Sequence, residues 1–155
     1  MIVVIFVALV LGARYLNKSA TTATVVQNEN ARVEISEKSY DWGEIQINEG
    51  AVERVFEIKN TGSGELSLSN ISTSCMCTTA QLILGDESSP EFGMHTKSSY
   101  VMNVPEGQTA QLKVVFDPAF HGPSGVGPIN RQIKVETNDP STPELNFMLT
   151  AIVRS

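Results

Sequence analysis

A chain of 155 residues is the size of one domain with a tail, and a hydrophobic fraction of 41% suffices for a single core. Its 17 acidic and 11 basic residues leave a formal charge of −6, and no Lys/Arg cluster interrupts that field, which excludes nucleic acid as a partner. Two cysteines and two histidines rule out a multi-bridge disulfide scaffold and most catalytic constellations.

Ile2 to Leu11 is an unbroken apolar run, followed by Gly12, Ala13, Arg14, Tyr15 and Leu16. A spanning helix takes about 20 apolar residues, so this run is closer to the ~7–15 residues of a signal-peptide core. No basic residue precedes it, and no cysteine follows it to carry a lipid. Arg14 and Lys18 come after the run, which taken alone would hold the rest of the chain in the cytoplasm. We expect instead that basic and further apolar residues are encoded upstream of Met1. Residues 1–16 are thus read as a helical anchor or export segment that brings the chain to a membrane. Residues 17–31 are small and polar without an amphipathic period, and read as a stalk.

From Arg32 to Ser155, short apolar/polar alternations recur between turn signals, the pattern of strands with one buried face. Val52, Phe56 and Ile58 share a side against Glu53, Glu57 and Lys59. Ala110, Leu112, Val114 and Phe116 share another, and Leu145, Phe147, Leu149, Ala151 and Val153 another. Asn60-Thr61-Gly62, Pro105-Glu106-Gly107 and Asn138-Asp139-Pro140 supply the turns. At Trp42-Gly43 the apolar phase switches from Tyr40/Trp42 to Ile45/Ile47, as it would where a strand crosses between sheets at a glycine kink. The expected fold is all-β: an immunoglobulin-like antiparallel β-sandwich of seven to eight strands over residues 32–155.

Cys75 and Cys77 stand two apart. In an extended strand their Cα atoms lie ~6.6 Å apart on one face, so a disulfide between them requires a local bend and is strained and reducible. Two thiolates converging on a soft metal fit the spacing without that bend. With the strands taken as Glu65–Thr73, Ser98–Val104 and Thr109–Phe116, alternation of direction gathers Cys75, Cys77, Met94, His95 and His121 at one pole. That donor set suits Cu(I), or Zn where the methionine is a bystander. A further strand at Thr78–Leu84 would shift the parity and send Met94, His95 and His121 to the other pole. Two readings therefore stand: a disulfide or buried thiol pair, or a soft-metal site.

Catalytic frames are missing. Cys-x-Cys differs from the Cys-x-x-Cys of thioredoxin-type oxidoreductases, and there is no Gly-x-Ser-x-Gly elbow or phosphate-binding glycine loop. Cysteine with histidine could form a nucleophile and base, but no local signature supports that pairing. The chain is read as not an enzyme.

Tyr40-Asp41-Trp42-Gly43-Glu44-Ile45, Phe56 to Gly62, Ser74-Cys75-Met76-Cys77-Thr78, Val114 to Asp117 and Val135 to Asp139 occur in an order that resembles the bacterial domain-of-unknown-function family DUF1573, relatives of the Hydin-type (ASH) immunoglobulin-like domains. The resemblance runs from about Val33 to Val153, with Ser-Cys-x-Cys-Thr its most specific element. It implies an exported or membrane-anchored sandwich and carries no established activity. Met76 stands where the family usually has glycine, and Leu82 to Val104 is longer than the usual link. The expected function is a cell-envelope module on the extracytoplasmic side, binding or bracing another envelope protein. The alternative is a metal-handling protein built on the cysteine pair.

Overall fold

The computed structural model describes residues 22–155, so the expected anchor at 1–16 lies outside the described residues. Ten strands follow one another: β1 (Val33–Glu34), β2 (Ser39–Gln46), β3 (Val52–Asn60), β4 (Leu66–Thr73), β5 (Thr78–Leu84), β6 (Glu87–Ser88), β7 (Val101–Val104), β8 (Thr109–Phe116), β9 (Gly127–Thr137) and β10 (Glu144–Arg154). They form two five-stranded sheets, ordered β1-β3-β8-β5-β6 and β2-β10-β9-β4-β7. The alternating residues of β3, β8, β9 and β10 bury one face of each sheet. Phe56 of β3 meets Phe147 of β10 across the core, ring centroids 4.9 Å apart.

The architecture is the expected all-β sandwich with two corrections. Among the described residues there are ten strands rather than seven or eight, because Thr78–Leu84 is a strand of its own and β1 and β6 are two-residue pairings. One sheet is also mixed, since β2 runs parallel to β10, while the pairings of the other are all antiparallel. No hairpin joins β2 to β10, so nothing forces them antiparallel. The phase switch at Trp42-Gly43 also has a different cause from a sheet crossing. Asp41 and Glu44 of β2 face Thr150 and Ile152 of β10, so β2 carries one extra residue, a bulge. Gly43 takes the positive φ of +68° that the bulge demands, and β2 stays in its sheet.

The part of the presumed stalk that is described packs against the sandwich. Ala23 N donates to Asn70 Oδ1 (3.0 Å), and Asn70 Nδ2 donates back to Ala23 O (2.9 Å). Asn70 sits at φ +49° in an irregularity of β4 between Ser69 and Ser72, a conformation asparagine tolerates better than most residues. Ala31 is fully buried. Isolated contacts hold this segment, the Asn70 clamp together with backbone bonds from Ala23 N to Ser98 O (3.1 Å) and Asn28 N to Asn138 O (2.9 Å), and they leave no periodic trace in its sequence.

Strand direction defines two poles. One gathers the turns after β3, β7 and β9; the other gathers the β4–β5 turn and the β8–β9 loop.

Candidate functional site

At the second pole, β4 ends at Thr73 and the chain reverses through Ser74–Cys77 into β5. Ser74 ties the turn to β9: its N–H donates to Gln132 O and its Oγ accepts from Gln132 N, both at 2.9 Å. Thr73 Oγ1 lies 3.0 Å from Cys75 O and 2.9 Å from Thr78 O, and Thr78 N donates to Cys75 O at 3.2 Å. This reversal brings the Cα atoms of Cys75 and Cys77 to 5.3 Å, and the two are joined as a disulfide. The local bend that the pairing requires is thus supplied by the turn. An extended strand would hold the Cα atoms ~6.6 Å apart.

The two sulfurs have different surroundings. Cys77 is 3% exposed and packs with Phe116 and Val153. Cys75 is only partly covered, and Met76 between them is 57% exposed. His121 comes from the β8–β9 loop, which folds back through bonds from Ala119 N to Asp117 Oδ1 (2.9 Å) and from Gly122 N to Ala119 O (2.8 Å). Its Nε2 lies 3.3 Å from Cys75 Sγ, and its ring meets Phe120 edge-on at 5.0 Å. On the other side Arg131 Nε donates to Cys77 Sγ at 3.1 Å. The guanidinium lies over the Phe116 ring, 5.4 Å from its centroid, and its Nη1 donates to Asn130 O at 2.8 Å. Burial pulls this guanidinium below the usual arginine range.

Cys75, Cys77 and His121 therefore come together, with ligand atoms within 4.8 Å of one another. His95 is not part of that group. Phe92 bridges to Ala80 on β5, and Gly93 N donates to Thr96 Oγ1 (2.9 Å), placing the Met94-His95 turn beyond the sheet edge. The parity argument needs amending accordingly. Thr78–Leu84 does form a strand, yet a second return, through β6 and the Phe92 bridge, restores the count and brings His121 back to the cysteine pole.

Arg131 was overlooked in the sequence, although its signal was there. Ile129, Arg131, Ile133 and Val135 alternate on the inner face of β9, so an arginine occupies a core phase. Such a residue needs a partner, and the sulfur of Cys77 and the Phe116 ring supply one.

The opposite pole has different chemistry. Asn60 is fully buried, its Nδ2 donating to Gly64 O (2.8 Å) and Val104 O (2.9 Å) while its Oδ1 accepts from Gly62 N (3.0 Å). Asp139 is also fully buried and accepts from Val33 N (3.0 Å), Ser141 N (2.8 Å) and Arg32 Nη1 (3.1 Å). Both side chains are turned inward to hold turns.

Residues 33–87 match the family profile described as protein of unknown function (DUF1573). That stretch includes the Tyr40–Ile45 and Ser74–Thr78 motifs; the later motifs lie beyond it. None of the curated proteins matches the chain. Among solved structures, a protein of unknown function from Porphyromonas gingivalis W83 superposes with a TM-score of 0.62 at 20% identity, over 83% of this chain and 50% of that one. The chain thus spans about half the length of that relative. The ASH/PapD-like domain 7 of human CEP192 superposes with a TM-score of 0.52 at 18% identity, over 90% of this chain and 97% of that one. At these identities the likeness is one of fold alone, an all-β sandwich.

Proposed function

We propose, with the DUF1573 match as premise, that this chain is a non-catalytic binding or structural module of the cell envelope, working on the extracytoplasmic side with its cysteine pole toward an envelope partner. A disulfide persists in oxidising compartments, and the apolar run at residues 2–11 suits export or anchoring. The observation that carries the reading is the cluster of exposed apolar side chains around the disulfide. Met76 and Phe120, 57% and 48% exposed, flank the disulfide and His121, beside a depression of about 280 Å³ lined by Ile47, Ala119, Pro123 and Val126. Photo-crosslinking side chains placed at Met76 and at Glu106, at the opposite pole, test it in intact cells. A discrete adduct through position 76 and none through position 106 is expected; the reverse would overturn the choice of pole.

A second reading is favoured by the gathering of Cys75, Cys77 and His121 within 4.8 Å. Once reduced, these residues offer two thiolates and an imidazole, a donor set for Cu(I). The reduced chain is expected to take up one Cu(I), to lose it in Cys77→Ser and to keep it in Met94→Ala and His95→Ala. Equal loss in the last two variants would contradict the three-residue site.

A further inference from the structure

We propose that the Cys75–Cys77 disulfide is a directional thiol–disulfide exchange site: an external dithiol attacks Cys75, and Arg131 receives the negative charge on the leaving sulfur of Cys77. The proposal rests on the cysteine pole being the working end and adds the chemistry done there.

Exchange requires the attacking sulfur, the attacked sulfur and the leaving sulfur in line, so access selects which half of the bridge is attacked. Cys77 is 3% exposed and closed off by Phe116 and Val153, whereas Cys75 lies at the surface beside exposed Met76 and the His121 ring. The leaving sulfur departs faster when its negative charge is stabilised. Arg131 Nε already points at Cys77 Sγ from 3.1 Å. Its charge is permanent, and its place is fixed by Phe116 and Asn130 O. As the Cys77 thiolate forms, both partners of that contact become charged, which makes it shorter and stronger than the bond to the neutral sulfur.

The chemistry balances in two steps. A thiolate of the partner dithiol bonds to Cys75 Sγ, the Cys75–Cys77 bond breaks, and Cys77 leaves with the electron pair. The partner's second thiolate then attacks its own sulfur in the mixed disulfide and releases Cys75. Cys77 N–H, 3.4 Å from Cys75 Sγ, and His121 Nε2, 3.3 Å from it, lie beside the released sulfur. The partner dithiol ends as a disulfide and this chain as a dithiol. The protons shed by the partner end on the released sulfurs or in solvent. Run backward, the same steps let an oxidised partner restore the bridge.

The test uses the full chain and two readouts. First, the oxidised protein is treated with the monothiol cysteamine, quenched with a maleimide and mapped by peptide mass. Cysteamine on Cys75 and maleimide on Cys77 is the expected pattern; cysteamine chiefly on Cys77, or evenly shared, overturns the proposal. This readout needs no variant. Second, the rate of reduction by dithiothreitol is compared in wild type, Arg131→Met and Arg131→Lys, with near-ultraviolet circular dichroism checking that each is folded. Arg131→Met should slow reduction about tenfold and Arg131→Lys should recover most of the rate. Equal rates in all three would remove Arg131 from the step. Failure here with crosslinking through Met76 intact discards the exchange chemistry alone; loss of the crosslink discards the working pole itself.

Discussion

The two poles of this sandwich are built from similar short turns, yet they use their polar atoms in opposite ways. At the Asn60/Asp139 pole both side chains are fully buried and satisfied by backbone partners. Gly62 is required there because a Cβ would lie 2.2 Å from Asn30 O. At the cysteine pole a partly covered sulfur and an exposed imidazole face outward, and a guanidinium on the inner face of β9 is bonded to a sulfur rather than a carboxylate. Satisfied buried polar groups hold a fold together. Polar groups left at a surface beside a reducible bond are free to react. On the proposed reading, the difference separates stability from function within a single small domain.

That separation breaks most visibly at Asp139. Asp139→Ala removes the acceptor for Val33 N, Ser141 N and Arg32 and should cost about 3 kcal/mol in urea unfolding, with Cu(I) uptake and disulfide reduction unchanged. A loss below ~1 kcal/mol would mean that water replaces the carboxylate and that this pole is not the anchor.

Replacing both cysteines with serine should have the converse effect. A bridge closing so short a loop restrains the unfolded chain little, so about 1–2 kcal/mol is expected, while exchange and copper uptake vanish. Loss of the folded state instead would make the bridge a structural staple.

A smaller effect sharpens the comparison away from both poles. Burial, then the hydrogen bond to Glu87, push Tyr100 up to about 12 from the usual 10.0. A tyrosine whose folded pKa is raised lends stability that is fully present below pH 10 and lost as pH climbs toward 12. Ultraviolet titration should show one late-ionising tyrosinate that disappears in Tyr100→Phe, and that variant should lose a little stability at pH 7 along with the bond to Glu87.

The strands were legible because alternation at Phe56/Ile58, Leu112/Val114 and Leu145/Phe147/Leu149 records a buried face directly. Three features were not. The parallel pairing of β2 with β10 depends on which edge is free, which no local pattern encodes. The bulge at Gly43 and a sheet crossing give the same phase switch. The docking of residues 23–31 hangs on single contacts such as the Asn70 clamp, which have no period. At the candidate site, Cys75, Cys77 and His121 were nameable from residue type and strand parity. Arg131 was hidden because the strand that holds it reads as ordinary core, with attention drawn to its apolar neighbours.

The central claim is that the cysteine bridge is reactive while the fold does not depend on it. The most direct measurement counts free thiols in the full chain, isolated in air and again after dithiothreitol, with urea unfolding recorded in both states. The account predicts no free thiols before, two after, and a cooperative transition in both states separated by only about 1–2 kcal/mol. Two free thiols in the air-isolated protein, or unfolding on reduction, would contradict it.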